Sequence, residues 1–170
     1  HFGGPSDATI YGDDTQETIL GANGLINYIF GNGGDDTIQG RALLDGVGQD
    51  ELFGHAGNDT LIAGPNGAGL EGGPGDDILF GSATQDSLRG ENGNDTLYGG
   101  GAGDYMSGGD GNDILVGNSD IYAIEANDIH GDSGDDTIVA GFGRSGNGQD
   151  ELAALPVGIG LQPLQLPDPG

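Results

Sequence analysis

Apolar residues recur along this chain at intervals of nine. Ile10, Ile19, Tyr28, Ile38, Leu52, Leu61, Leu70, Leu79, Leu88, Leu97, Met106, Leu115, Ile129, Ile138 and Leu152 each hold the eighth position of a nonapeptide. Each is the centre of a three-residue x-apolar-x segment, the alternation of a short strand with its middle residue turned inward. The six residues before each segment are dominated by Gly, Asn and Asp, the composition of a turn. The chain thus reads as turn and strand in alternation. Fifteen units begin at residues 3, 12, 21, 31, 45, 54, 63, 72, 81, 90, 99, 108, 122, 131 and 145, with five-residue insertions at 40–44, 117–121 and 140–144. Such internal repetition decides the fold before any other signal is weighed.

Within the turns, runs such as GHAGNDTLI (54–62), GENGNDTLY (90–98) and GGDGNDILV (108–116) spell Gly-x-x-Gly-x-Asp-x-apolar-x, and the sixth position is Asp in ten units. Glycines at positions 1 and 4 suit backbone with positive φ and close approach of neighbouring turns. The turn carbonyls and the Asp carboxylate are hard oxygen donors of the kind calcium prefers. Over residues 3–153 the pattern resembles the RTX (repeats-in-toxin) family of calcium-binding nonapeptide repeats. The resemblance implies an all-β fold, a right-handed parallel β-roll (β-solenoid) of about fifteen units. Six residues of each unit would turn, three would form a strand, and two units would make one coil.

Numbering the units separates two edges. The even units from the fourth to the fourteenth read GNGGDD, GHAGND, GGPGDD, GENGND, GGDGND and GDSGDD. Each keeps both glycines (Gly31 and Gly34, Gly54 and Gly57, Gly72 and Gly75, Gly90 and Gly93, Gly108 and Gly111, Gly131 and Gly134). Each also keeps its aspartate, Asp36, Asp59, Asp77, Asp95, Asp113 or Asp136. Odd units retain only Asp50, Asp86, Asp104 and Asp150; elsewhere position 6 reads Ala8, Ile26, Ala68 or, in the thirteenth, Asn127, while the even second unit has Glu17. All three insertions precede odd turns. The expectation is one metal-binding edge and one variable edge. Six consecutive intact turns would enclose five calcium ions if each ion sits between stacked turns, as the resemblance implies, with partial sites on the odd edge.

Charge makes the cation a condition of folding. The chain carries 28 Asp and Glu against 3 Arg and no Lys, a net charge of −25, with 39 Gly. Stacked turns bring successive position-6 carboxylates to roughly 5 Å, one sheet spacing, where two charges repel by about 3 kcal/mol at an effective dielectric near 20. A column of such repulsions exceeds the stability of an ordinary domain. The calcium-free chain is therefore expected to be largely disordered.

The outward positions 7 and 9 differ between the two sheets. The even sheet presents Thr18, Thr37, Thr60, Ile78, Thr96, Ile114 and Thr137 beside Leu20, Gln39, Ile62, Phe80, Tyr98, Val116 and Val139. That is an apolar, β-branched face, an interaction surface or plain strand preference. The odd sheet reads mostly polar, with Glu51, Glu71, Ser87, Arg89, Asp128 and His130. After residue 153 the repeat gives way to a Pro/Leu-rich tail (154–170), in which Leu155, Val157, Ile159 and Leu161 alternate before Pro163, Pro167 and Pro169. The tail reads as a cap over the last coil, a subunit contact or a linker. Solenoids without polar caps stack end to end, so self-association through the open ends or the Thr/Ile/Val face is expected.

Other classes are poorly supported. There is no Cys and no run of 18 apolar residues, so no disulfide and no membrane insertion is expected. Three Arg cannot build a nucleic-acid surface. His55 and His130 are isolated, no nucleophile or zinc motif appears, and Asn58 and Asn94 read as turn residues despite their N-x-T context. The chain is read as non-catalytic, secreted from or displayed on a bacterial cell. Two roles remain: an extracellular structural element (filament, matrix, surface layer or adhesin), or the calcium-triggered folding and secretion module of a larger enzyme or toxin.

Overall fold

The computed structural model describes residues 8–22, 26–41, 48–118 and 127–141; Asp150 and the tail 154–170 lie outside them. Fourteen strands follow one another: β1 (Ala8–Tyr11), β2 (Thr18–Leu20), β3 (Asn27–Gly33), β4 (Thr37–Gln39), β5 (Asp50–Ala56), β6 (Thr60–Ile62), β7 (Ala68–Pro74), β8 (Ile78–Phe80), β9 (Ser87–Asn92), β10 (Thr96–Gly100), β11 (Tyr105–Asp110), β12 (Ile114–Asn118), β13 (Asp128–Ser133) and β14 (Thr137–Gly141). Odd strands form one seven-stranded sheet and even strands the other, every neighbour being two strands away in sequence. All twelve pairings are parallel. Among the described residues there is no helix, hence none long and apolar enough to cross a membrane. This is a parallel β-roll with two units per coil.

One inward side chain per strand builds the core. Ile29, Leu52, Leu70, Leu88, Met106 and Ile129 of the odd sheet face Ile19, Ile38, Leu61, Leu79, Leu97 and Leu115 of the even sheet, none more than 8% exposed. Full burial of such a side chain is worth about 1.5–3 kcal/mol, and a core one residue deep leaves much of the fold's cohesion to its turns.

Three details depart from the sequence reading. The third unit is ten residues long. Asn27 pairs with Ala8, Ile29 with Leu52, and Tyr28 with the outward Glu51. Ile29 is therefore buried and Tyr28 exposed, and position 6 is Asn27 rather than Ile26. A one-residue offset turns every side chain of a strand to its other face. Secondly, the insertions lie inside odd turns rather than ahead of them. Gly40 N–H donates to the Ile62 carbonyl and Arg41 N–H to Asp50 Oδ2 at 2.6 Å, which are the first two positions of the turn that Asp50 closes. Asn118 and Gly141 likewise continue the strand register of Gly100. Thirdly, strands exceed three residues on the odd sheet. β3, β5 and β7 have seven residues and run on into positions 1–3 of the following even turn.

The even face is apolar where solvent meets it, with Ile78, Ile114, Val139, Phe80 and Tyr98 exposed. Phe80 and Tyr98 stack at 5.1 Å between centroids and 4° between planes. The odd face is less polar than expected near its start. The third-unit offset brings Phe30 outward between Tyr11 (5.1 Å) and Phe53 (4.9 Å), an aromatic stack that also touches His55.

Candidate metal-binding edge

On the even edge the six aspartates form one column. Each lends Oδ1 to the backbone of the preceding even turn. Asp36 N–H donates to Asp59 Oδ1 (2.8 Å), Asp59 N–H to Asp77 (2.7 Å), Asp77 N–H to Asp95 (2.8 Å), Asp95 N–H to Asp113 (2.8 Å) and Asp113 N–H to Asp136 (2.9 Å). Glu17 N–H starts the series on Asp36 Oδ1. The other oxygen, Oδ2, is buried without a hydrogen-bond partner in Asp36, Asp59, Asp77, Asp95, Asp113 and Asp136.

Each orphaned oxygen lies over the first glycine of its own turn. A Cβ built on Gly31 would come within 2.6 Å of both Asp36 Oδ2 and the Gly54 carbonyl oxygen. Gly54, Gly90 and Gly108 repeat the arrangement, a Cβ colliding with the Oδ2 of Asp59, Asp95 or Asp113 and lying 2.7, 2.6 or 2.8 Å from the carbonyl oxygen of Gly72, Gly108 or Gly131. Gly72 and Gly131 face the Oδ2 of Asp77 and Asp136. A carboxylate oxygen and a neighbouring carbonyl oxygen, both acceptors, therefore converge where no donor stands. Leaving a charged acceptor buried in this way is costly, and a cation bound by hard oxygens removes the cost. The donor set fits calcium: one carboxylate per turn, completed by backbone carbonyls. Among the described residues no three acidic or His side chains converge on one point, so such a site would depend on backbone oxygens.

The two glycines of the motif do separate jobs. Position 1 has no positive φ and needs only the absent Cβ. Position 4 needs both: Gly57, Gly75, Gly93, Gly111 and Gly134 have φ between +139° and +149°, and a Cβ on each would strike the position-4 carbonyl oxygen of the turn before. Gly34, at φ +100°, follows the same rule, a Cβ there meeting the backbone of Thr15, the fourth position of the second unit. Positive φ also falls at position 2, where Asn32, His55, Glu91 and Asp132 adopt it.

Position 5, which the motif leaves open, carries a second ladder that the sequence reading missed. Asn58 N–H donates to Asp35 Oδ1, Asp76 N–H to Asn58, Asn94 N–H to Asp76, Asn112 N–H to Asn94 and Asp135 N–H to Asn112, at 2.7–3.0 Å. This ladder runs opposite to the first: at position 6 the earlier turn donates, at position 5 the later one. Its signal was in plain sight, because every even turn from the fourth has Asp or Asn at position 5.

Burial raises the carboxyls from Asp36 to Asp113 above their usual range, opposed by the backbone N–H each accepts and reinforced by neighbouring carboxylates. Asp36, Asp59 and Asp113 are raised, Asp95 is pushed up to about 6 and Asp77 to about 7.

The odd edge differs at Asp50 and Asp86, whereas Asp104 keeps the even-edge placement, its buried Oδ2 lying over Gly99. Asp50 accepts Asn27 N–H and Nδ2 on Oδ1 and Arg41 N–H on Oδ2. Asp86 accepts Ala68 N–H on Oδ1, and on Oδ2 both Ser82 N–H (2.6 Å) and Ser82 Oγ (2.9 Å). Asp104 accepts Asp86 N–H, and its own N–H donates to Asn127 Oδ1. For Asp50 and Asp86 the chain itself supplies donors to both oxygens. Glu17, at the start of the even column, is served by Asp13 N–H on Oε2.

Comparison with known proteins agrees with this geometry. The family described as RTX calcium-binding nonapeptide repeat (4 copies) matches at residues 22–42, 43–65, 71–106, 90–121 and 125–147. No curated protein and no solved structure matches the chain.

Proposed function

Since this chain belongs to the RTX calcium-binding nonapeptide-repeat family, we propose that calcium ions bind along its even edge and make the roll the folded state. The observation that carries this reading is the column of six buried Oδ2 atoms without a donor. Asp36, Asp59, Asp77, Asp95, Asp113 and Asp136 would hold the ions with carbonyl oxygens of adjacent turns, about five ions between six turns. Bound calcium would supply the positive charge that a column of carboxylates lacks. Asp50 and Asp86, already saturated by N–H and O–H donors, contribute structure there rather than ligands. One carboxylate per turn is a low ligand charge, which suits the roughly 10⁻⁴–10⁻³ M affinities of extracellular calcium modules. A chain of net charge −25 would thus stay unfolded where calcium is scarce and fold on reaching an exterior that supplies it.

In this reading the roll, residues 1–153, is a non-catalytic structural element outside a bacterial cell, and 154–170 caps or contacts it. The exposed Ile78, Ile114, Val139 and Phe80–Tyr98 face supports self-association, because a contiguous apolar patch on a solvent face marks a contact surface. Calcium titration followed by circular dichroism and light scattering tests both parts. Cooperative β folding with growth of large particles, abolished by Phe80→Ser with Tyr98→Ser, is the expected result. Folding to a monomer that never scatters would favour a module serving a larger secreted protein. A roll fully formed in chelator at neutral pH would overturn the calcium-dependent reading itself.

A further inference from the structure

The odd sheet carries a concavity of about 430 Å³ that the calcium edge does not use. Its origin is a gap in the outward rows. Across β5, β7, β9 and β11 the position-7 row reads Glu51, Gly69, Ser87 and Tyr105, and the position-9 row reads Phe53, Glu71, Arg89 and Ser107. Gly69 has no side chain and Ser87 a short one, so the sheet is dented between Phe53 and Tyr105. Glu51 leans into the dent; a Cβ on Gly69 would meet its carboxylate. Phe53 borders the dent with one side of its ring stacked on Phe30. Gln49 and Gln85 line one end.

Charge selects the occupant. Glu51 and Glu71 both line the concavity, and Glu91 stands beside Glu71. Arg89 is the one basic residue in the lining, and its guanidinium lies 5.9 Å from the Tyr105 ring centroid. Negative charge is left over, while a metal ion lacks the three converging carboxylates it would want among the described residues. A planar, multi-donor cation meets both conditions: it pairs with carboxylates through a fork of N–H donors and lies against an aromatic ring. We propose that this concavity receives the guanidinium of an arginine side chain presented by a basic partner peptide. The chain, with 3 Arg and no Lys against 28 acidic residues, is poorly equipped to supply that group from a second copy of itself.

The test uses the calcium-loaded chain and an acetyl-Gly-Arg-Gly-amide probe, with the citrulline peptide as its neutral isostere, followed by amide chemical shifts. The arginine peptide should shift Gly69, Ser87 and Tyr105, and the citrulline peptide should bind at least tenfold more weakly. Gly69→Thr fills the dent without changing net charge, and the side chain it displaces is the flexible end of Glu51; it should weaken binding at least tenfold with the circular dichroism unchanged. Glu71→Gln removes one carboxylate while leaving the dent open, and should weaken binding by a similar factor. Asp128→Asn, an exposed acidic position on β13 outside the concavity, should leave it intact. Equal binding by the Gly69→Thr chain, equal loss with Asp128→Asn, no binding to the parent, or shifts at the same residues from a neutral glucan in place of the peptide would each overturn the proposal.

Discussion

Replacing Asp95 by Asn should push the roll in opposite directions with and without calcium. Asp95 is 1% exposed. Its Oδ1 accepts Asp77 N–H at 2.8 Å, and its Oδ2 meets the Gly108 carbonyl oxygen over Gly90 with no donor between them. Burial raises its carboxyl from 3.8 to about 6, a difference of about 2 pH units, or about 3 kcal/mol. In the metal-free chain that is the penalty for ionising Asp95 inside the roll. Asn retains the Oδ1 acceptor and puts an N–H donor beside the Gly108 carbonyl, so the metal-free fold should gain about 3 kcal/mol above pH 6. The gain should shrink as pH falls from 6 and vanish below 3.8, where the carboxyl is protonated in both states. With calcium the sign reverses: the edge loses one of its six carboxylates, and the calcium midpoint should rise severalfold. Osmolyte-driven folding in chelator at pH 7.5, read by circular dichroism, gives the first quantity, because osmolytes favour the buried state without supplying a ligand. Calcium titration gives the second. A variant that is harder to fold in chelator, or one whose calcium midpoint is unchanged, would refute the assignment of Oδ2 to a cation.

Gly93→Ala should be far more damaging than its size suggests. The residue has φ +142°, and its Cβ would fall on the Gly75 carbonyl oxygen, backbone against backbone. Left-handed strain of about 1–2 kcal/mol and overpacking of about 1–3 kcal/mol predict a loss of about 2–5 kcal/mol in urea melts at saturating calcium; a loss under 1 kcal/mol would contradict the close stacking. Acid should partly substitute for metal. Asp77 and Asp95 have folded-state values of about 7 and 6 against 3.8, so the folded chain takes up protons. That stabilisation is complete below 3.8 and is lost as pH rises through 6 and 7. In chelator the β signal should therefore grow between pH 8 and pH 5, and a flat or opposite dependence would mean that the aspartates are not buried in the metal-free state.

Periodicity made the architecture readable, because one apolar residue in nine has a single place to go. It also misled at one point. Tyr28 is apolar enough to satisfy the eighth position, yet Ile29 beside it fills the core, and only strand pairing distinguishes the two. The insertions were misplaced for a related reason: Gly40–Arg41 bears no mark of being the start of a turn that closes nine residues later at Asp50. Positive φ at Asn32, His55, Glu91 and Asp132 was invisible because these residue types do not require it. The even aspartates stood out by spacing, but their inequality with Asp50 and Asp86 did not. That difference rests on an Arg41 N–H and a Ser82 hydroxyl, which are brought close by the turn and not by the motif.

The opposed ladders at positions 5 and 6 bear on how such a chain can change length. An even turn inside the column gives one amide forward at position 6 and another backward at position 5, and at position 5 it finds a matching partner only in turns of its own parity. Tandem duplication of 18 residues adds a coil, about 4.8 Å of roll, and every downstream hydrogen bond is re-formed with an equivalent neighbour. Duplication of nine residues would instead exchange the two edges for all that follows, setting Asn-Asp turns over Ser82-type turns and ending the position-5 ladder at the junction, because odd turns carry Gln49, Gly67, Gln85 or Gly103 there. Lineages of this roll should accordingly differ by whole coils, with length drifting in even steps while the ion-binding edge stays continuous.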